Sequence, residues 1–282
     1  MKLSIITINY NNAAGLKKTM ESVFAQTSKE FEYIVIDGAS TDGSVEIINQ
    51  YANVPMCQCD EDKRRNISFR WISEPDTGIY NAMNKGIQMA KGEYLQFLNS
   101  GDWYVDNEVV KNVLNSLPKC DIFLGNVISI RPDGKIRYNQ NDRNVSLLTF
   151  YRSTIQHTSA FIRKSLFDKY GLYDESLKIV SDWKWYLQAA GLNKANVCFT
   201  DLYITYFDTT GISSTQLSLD KTERRKVLEE LIPAPILADY DKYSFAIQQF
   251  ERLKRYPIIY KMVWFIERTL FKHDKWKANH FV

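Results

Sequence analysis

The chain has 282 residues, is 45% hydrophobic and 24% charged, and carries a net charge of +3 at neutral pH. These values suit a folded protein of one large domain, with or without appendages, and the small charge offers no electrostatic argument for nucleic acid. No run of 18 or more apolar residues is present to span a bilayer, and four cysteines without framework spacing (Cys57, Cys59, Cys120, Cys198) point to reduced thiols rather than a zinc site or a disulfide scaffold.

Residues 2–8 read as a buried parallel strand that ends in a polar Asn9-Tyr10-Asn11-Asn12 turn. That apolar run is too short for a signal peptide, so the expected location is the cytoplasm. Leu16, Met20, Val23 and Phe24 mark an amphipathic helix. Residues 31–36 predict a second strand, ending at Asp37-Gly38, and residues 45–51 a helix capped by Asp42 or Ser44. Residues 52–68 read as a polar surface loop and 69–72 as a third strand. A loop with Glu74 and Asp76 enters a helix with Met83, Ile87 and Ala90 on one face, and Gly92 is placed for a left-handed C-cap. Residues 94–98 form a short apolar strand that gives way to Asn99-Ser100-Gly101-Asp102. Strands alternating with helices predict βαβ units and a mostly parallel sheet.

Beyond residue 115 the pattern changes. Residues 127–130 and 135–138 flank Arg-Pro-Asp-Gly, a hairpin signal. Residues 155–162, with His157, look like a strand, and a short helix at 165–170 stops at Gly171. Ser181 is placed to cap a helix over 182–190, closed by Gly191. Residues 195–200 and 202–207 read as two strands leading to a mobile lid at 208–214. From residue 216 the chain looks helical, broken at Pro233 and Pro235 and restarted at Pro257.

Acids at Asp37, Glu74/Asp76 and Asp102 follow predicted strands, and in open α/β sheets ligands bind beyond those strand ends. Magnesium and manganese take one or two carboxylates plus substrate phosphates, so a nucleotide-diphosphate site fits. The same residues also suit plain turns. A P-loop and a G-x-G-x-x-G turn are both absent.

The segments 4–11, 34–43, 76–86 (Asp76-x-Gly78-Ile-Tyr-Asn-Ala-Met-Asn84-Lys-Gly86), 97–102 and Ser181-Asp182-Trp183 together resemble the successive motifs of family-2 glycosyltransferases, in the family's order, over about residues 3–215. The resemblance implies an α/β GT-A fold and an inverting, nucleotide-sugar-dependent enzyme. Thr7 and Tyr10 would contact the nucleoside and Asp37 the base or ribose. Asp76 and Asn84 would line the nucleotide and sugar pocket, Asp102 with Asn99 would hold a divalent metal (Mg2+ or Mn2+), and Asp182 would be the catalytic base. Three departures stand out. Asp37 is followed by glycine instead of a second acid. The usual D-x-D-D run has become Asn99-Ser100-Gly101-Asp102, which leaves room for Asp208 as a further metal ligand. Ser181 precedes Asp182 where the family has Glu. His157 reads as a pocket-wall or structural residue, and Trp183 and Trp185 as core or sugar platform.

The resulting division is 1–115 as the nucleotide-sugar-binding half, 116–215 as the acceptor-binding half and 216–282 as a helical extension. The expected activity moves a sugar onto a glycan or lipid-linked acceptor in bacterial surface polysaccharide synthesis. A nucleotide-sugar-binding protein without turnover and a different nucleotide-dependent transferase on a similar sheet remain the alternatives. In the extension Ile259, Met262, Val263, Ile266 and Leu270 share one helix face, and residues 251–282 hold eight Lys/Arg against three acids. Such a helix either lies on an anionic membrane, with Trp264 and Trp276 near the headgroups, or packs on protein.

Overall fold

A computed structural model of the chain describes residues 1–52, 67–117, 119–141, 143–211 and 215–270. Most of the predicted 52–68 loop, including Cys57 and Cys59, residues 212–214 of the predicted lid, and Lys272, Lys275, Trp276 and Lys277 lie outside the described residues. The chain forms two compact units, Met1–Val227 and Leu228–Val282.

The first unit opens with β1 (Leu3–Asn9), α1 (Ala13–Phe24), β2 (Phe31–Asp37), α2 (Ser44–Ala52), β3 (Ser68–Ser73), α3 (Ile79–Met89) and β4 (Tyr94–Phe97). The strands β3-β2-β1-β4 pair in that order and all in parallel. β1 and β2 are buried at every position, which is why their sequences are continuous apolar runs rather than alternating ones. Their polar side chains therefore bond inside the sheet. Ser4 Oγ donates to Glu32 Oε1 (2.6 Å), and Tyr33 donates to Thr7 Oγ1 (3.0 Å), which in turn donates to the Leu98 carbonyl (2.7 Å).

The second half adds β5 (Trp103–Tyr104), α4 (Val109–Ser116), β6 (Ile122–Ile130), β7 (Ile136–Asn139), α5 (Leu147–Arg152), β8 (Ala160–Arg163), α6 (Ser165–Tyr170), α7 (Ser181–Tyr186) and β9 (Val197–Asp208). The helix α8 (Leu217–Leu231) crosses the boundary between the units. Beyond β4 the sheet continues β8-β6-β9-β5, with β7 hydrogen-bonded to β6. The pairings are antiparallel except for β6 with β9. The β6–β7 hairpin turns at the predicted Arg-Pro-Asp-Gly, where Gly134 takes φ +77° and its N–H reaches the Arg131 carbonyl (2.8 Å).

Several local expectations are corrected. Gly92 does not adopt a left-handed C-cap. It is needed because a Cβ there would lie 2.5 Å from the Ser4 backbone nitrogen. His157 sits in a 3-10 turn (His157–Ser159), and the strand begins only at Ala160. Ser159 Oγ bonds both Gly125 O (2.7 Å) and Gln156 O (3.2 Å), which curls the chain just before it joins the sheet. Residues 197–208 make one strand, not two, because a register irregularity between Leu124 and Val127 absorbs the break. Ser181 starts α7 but does not cap it, since its hydroxyl has no partner, and α7 runs on into a π-helical segment, Leu187–Leu192.

In the second unit α9 (Ala234–Lys254) starts after Pro233, and α10 (Pro257–Leu270) starts on Pro257, where a missing N–H costs nothing. The Phe250 and Tyr260 rings bring the two helices together at 5.8 Å.

Glu32 is a buried charge of the parallel layer. It accepts bonds from Ser4 Oγ, the Lys91 and Gly92 N–H groups and the Arg70 guanidinium. Burial raises its carboxyl, but these donors outweigh burial and hold it below the ordinary glutamate value. The stability this confers is present above that ordinary value and is lost as pH falls through the lowered one. Glu32→Ala is expected to cost about 3 kcal/mol at pH 7 by leaving the Arg70 guanidinium without its counter-ion and the Lys91 N–H without an acceptor, while the Gly92 N–H keeps Ser4 Oγ (2.8 Å). Urea unfolding should show the gap to the parent shrinking at pH 3; a gap independent of pH would contradict the assignment.

Candidate functional site

The carboxyl ends of β1, β2, β3 and β4 converge on one edge. Asp37, wholly buried at the end of β2, accepts from Asn9 Nδ2 (2.8 Å), Ser40 N (2.9 Å), Ser40 Oγ (2.6 Å) and Ser73 Oγ (2.6 Å). Burial raises its carboxyl, yet the donors together hold it below the usual carboxylate range. The turns it organises carry two non-glycine residues at positive φ, Asn11 (47°) and Ala39 (60°). Asn11 is stapled twice: its N–H donates to Ser40 Oγ (2.8 Å) and its Oδ1 accepts from Thr41 N (2.8 Å). Asp42 ties the starts of two helices by accepting from Ala13 N (2.7 Å) and Ser44 N (3.1 Å).

Gly38 is where this edge opens. A Cβ there would lie 2.6 Å from Asp76 Oδ2 and 3.1 Å from the Tyr10 ring, so only glycine lets the two approach. Tyr10 is 67% exposed and Asp76 half-buried, and the pair can face a ligand. Thr7 cannot: its hydroxyl is fully buried between Tyr33 and Leu98, so the expected nucleoside contact becomes a brace inside the sheet. Asn84 is likewise sealed. It donates to Tyr173 O (2.9 Å) and Glu175 Oε1 (2.8 Å) and accepts from Tyr173 N (3.0 Å), pinning that turn instead of lining a pocket.

Asp102 follows β4 and is 5% exposed, with the backbone N–H of Asp208 donating to its Oδ1 (3.1 Å). Burial pushes its carboxyl up to about 8; the Asp208 N–H opposes this and the Asp208 charge adds to it. Asn99 Oδ1 is buried without a donor. Lys18 lies 3.0 Å above the Trp103 ring, and burial lowers its pKa against the raising pull of Asp208. Among the described residues no three His, Cys, Asp or Glu side chains gather at one point. The oxygens present are nonetheless those a hard cation takes: two acids and an orphaned amide oxygen, with substrate phosphates left to complete the shell.

A second centre surrounds Asp182 in the first turn of α7. Its Oδ1 accepts from the Tyr80 hydroxyl (2.9 Å), which also contacts the Ile179 carbonyl. His157 stacks on Phe97 (5.1 Å between centroids), and its Nδ1 lies 3.1 Å from the Tyr186 hydroxyl, while Nε2 is buried without a partner. Burial lowers the His157 pKa, favouring the neutral ring, and the Asp182 charge opposes this. Tyr173 closes the wall, its hydroxyl also unpartnered. Trp183 and Trp185 are core: their indole N–H groups reach the carbonyls of Phe150 (3.1 Å) and Gly171 (2.9 Å).

Asn9, Ser40, Ser73, Tyr80, Tyr173 and Tyr186 were not foreseen as site residues. Asn9, Ser40 and Tyr80 carried a signal, since they lie inside the 4–11, 34–43 and 76–86 segments; Ser73, Tyr173 and Tyr186 carried none.

Solved structures share this architecture. Staphylococcus aureus TarS (residues 1–349) in complex with UDP-GlcNAc superposes with a TM-score of 0.58 at 21% identity, over 75% of this chain and 59% of that one. A Pyrobaculum calidifontis mannosyltransferase in complex with GDP-Man and Mn2+ matches with a TM-score of 0.57 at 13% identity, over 79% of this chain and 61% of that one. The α/β fold with helices after it is thus of the GT-A type, and the chain spans about three fifths of these structural relatives. An uncharacterized glycosyltransferase of Mycobacterium tuberculosis is 33% identical over 220 residues, 75% of this chain and 77% of that protein. A Mycobacterium bovis PGL/p-HBAD biosynthesis glycosyltransferase is 30% identical over 64% of this chain and 66% of its own length. With the model of that family matching residues 4–174, across both strand-end clusters and into the turn that Asn84 pins, the chain belongs to glycosyl transferase family 2.

Proposed function

We propose that this enzyme inverts configuration as it moves a sugar from a nucleotide-diphosphate sugar to a hydroxyl of a glycan or lipid-linked acceptor, in bacterial surface polysaccharide synthesis. What carries the reading is the coexistence of two unlike acidic centres, buried Asp102 beside Asp208 and half-buried Asp182 held by Tyr80 beside His157. Acid sites with divergent environments divide a reaction's roles between them. Structural relatives solved with UDP-GlcNAc and with GDP-Man and Mn2+ support the donor class.

In this reading Tyr10 and Asp76 receive the nucleoside across Gly38, with Asp37 as the anchor of the loop they belong to. Asp102, Asp208 and Asn99 would hold Mg2+ or Mn2+, which when bound neutralises charge on the departing diphosphate. Asp182 takes the proton of the acceptor hydroxyl as its oxygen attacks the anomeric carbon from the face opposite the leaving group. Tyr80 keeps one carboxylate oxygen engaged, which leaves the other for that proton. His157, Tyr173 and Tyr186 form the wall behind the acceptor.

A panel of UDP-, GDP- and dTDP-sugars with Mn2+, read by thermal shift, identifies the donor. With that donor and water as acceptor, Asp182→Asn should cut nucleoside diphosphate release by about 10²–10⁴-fold while leaving donor affinity unchanged. A collapse of donor affinity instead would move Asp182 to the nucleotide pocket. Thermal shift without any release in the parent would favour a binding protein without turnover, a reading the single carboxylate of the 99–102 run supports.

Asp102→Ala should abolish Mn2+-dependent release yet keep the fold, because it removes a buried acid that carries a charge only at a cost. Full release in the variant, or indifference of the parent to chelator, would refute the metal role.

The enzyme reaches a lipid-linked acceptor, in the same reading, through α10. Ile258, Ile259, Met262, Val263, Phe265 and Ile266 are all exposed on that helix, Phe265 by 66%, and Lys261 and Arg268 flank them. An apolar arc edged by cations suits the headgroup boundary of an anionic bilayer. No helix among the described residues is long and apolar enough to cross a membrane. Co-sedimentation with phosphatidylglycerol vesicles should be lost in the full chain carrying Ile258→Glu and Phe265→Glu. Equal sedimentation of variant and parent would exclude α10 as the contact.

A further inference from the structure

The family match ends at residue 174, before Asp182. The backbone just ahead of Asp182 is held by a residue further still along the chain. Glu223, on α8 and only 8% exposed, accepts from three successive amides: Lys178 N (2.8 Å), Ile179 N (2.9 Å) and Val180 N (3.3 Å). Consecutive N–H groups converging on one anion form a nest, and bonds to a charged acceptor are the stronger kind.

The position of this nest matters. α7 begins directly after it, with Lys184 N donating to Val180 O (2.8 Å), and α7 has no side-chain cap of its own. Glu223 thus grips the N-cap residue Val180 and the two residues before it, fixing from another helix the path by which the chain enters α7. The Ile179 carbonyl, inside the same three-residue segment, meets the Tyr80 hydroxyl that also donates to Asp182 Oδ1. The segment is thus gripped on its amides by Glu223 and on a carbonyl by Tyr80. Neighbouring Arg224 fixes α8 to the same region, with Nη1 on Ser153 O (3.0 Å) and its guanidinium 4.7 Å over the Trp183 ring.

We propose that Glu223 is a positioning residue: by fixing Lys178–Val180 it sets the Asp182 carboxylate against Tyr80 in the pose that accepts the acceptor's proton. The proposal rests on Asp182 acting as general base. Glu223→Gln keeps the volume but offers one acceptor oxygen and turns an NH2 toward a backbone N–H. Small displacements of a reacting group are costly, so release of nucleoside diphosphate from the donor found in the panel should fall about 10–10²-fold. The donor KM should stay unchanged, and Glu223→Asp should recover part of the loss.

The decisive measurement is the cycle of Glu223→Gln with Asp182→Asn. A residue acting through Asp182 has nothing left to position once the base is gone, so the second substitution should add no further loss in that background. If Asp182→Asn alone leaves turnover intact, the base reading has failed and the proposal falls with it. If Asp182→Asn cuts turnover but Glu223→Gln costs the same factor in both backgrounds, the base stands and the proposal is overturned. A rise in donor KM in place of a fall in kcat also overturns it. Should Glu223→Gln not fold, Glu223→Asp carries the same cycle. Hydrogen exchange in the parent gives an independent reading: the amides of 178–180 should be protected, and exchange at open-loop rates would disprove the contact.

Discussion

Every position of β1 is buried, and each polar side chain it carries must find its partner inside the sheet. Ser4 draws the Glu32 carboxylate into the layer, Thr7 bridges Tyr33 to the strand on its other side, and Asn9 reaches Asp37. An unpaired buried polar group costs as much as a lost hydrogen bond or more, so these pairs fix the register and side-chain arrangement of three neighbouring strands together. The strand ends inherit that rigidity. Asn11 and Ala39 can be held at positive φ beside the opening at Gly38 because Asn9, Asp37 and Ser40 leave the turns no cheaper geometry.

Asp37 and Asp102 are both buried, follow strands in one sheet and share the same chemistry, yet they behave oppositely. Four donors surround Asp37 and make it a satisfied anion. One backbone N–H reaches Asp102, and a second acid lies nearby, so burial dominates and its proton is held to about pH 8. The first carboxylate is spoken for by the protein itself; the second lacks positive charge. Asp182 is a third case, partly buried with a phenolic donor on one of its two oxygens. Counting donors around each acid separates their roles more sharply than their order in the chain does.

Much of this was legible in the sequence. Continuous apolar runs announced the parallel strands, acids and glycines marked their carboxyl ends, and Arg-Pro-Asp-Gly gave the hairpin. These are local signals. The contacts that sort structural from chemical residues are not local: Thr7 is sealed by Leu98 and Tyr33, and Asn84 is taken by Tyr173 and Glu175. Tyr80 and Asp182 are 102 residues apart and Glu223 is 45 from Lys178, distances at which no periodicity speaks. The run at 155–162 has strand composition, but Ser159's bonds to Gly125 and Gln156 bend it into a turn, which a composition argument cannot see. Gly92 was recognised as necessary for the wrong reason, since the demand on it is steric and comes from β1.

Helix α3 joins the Asp182 centre to the sheet that carries the Asp37 edge. On one side it lies so close to the sheet that a Cβ on Gly86 would stand 2.5 Å from Ile6 Cγ2, leaving no room to shift without moving β1. On the other side Tyr80 reaches Ile179 and Asp182, Asn81 reaches Glu175, and Asn84 clamps Tyr173. The turn that leads into Asp182 is thereby referenced to the same strands that organise the Asp37 edge. A helix held this tightly is a poor hinge between the Asp37 edge and the Asp182 centre. In the proposed reading, closure on substrate falls to the loops at the strand ends, with α3 tying the Asp182 centre to the sheet.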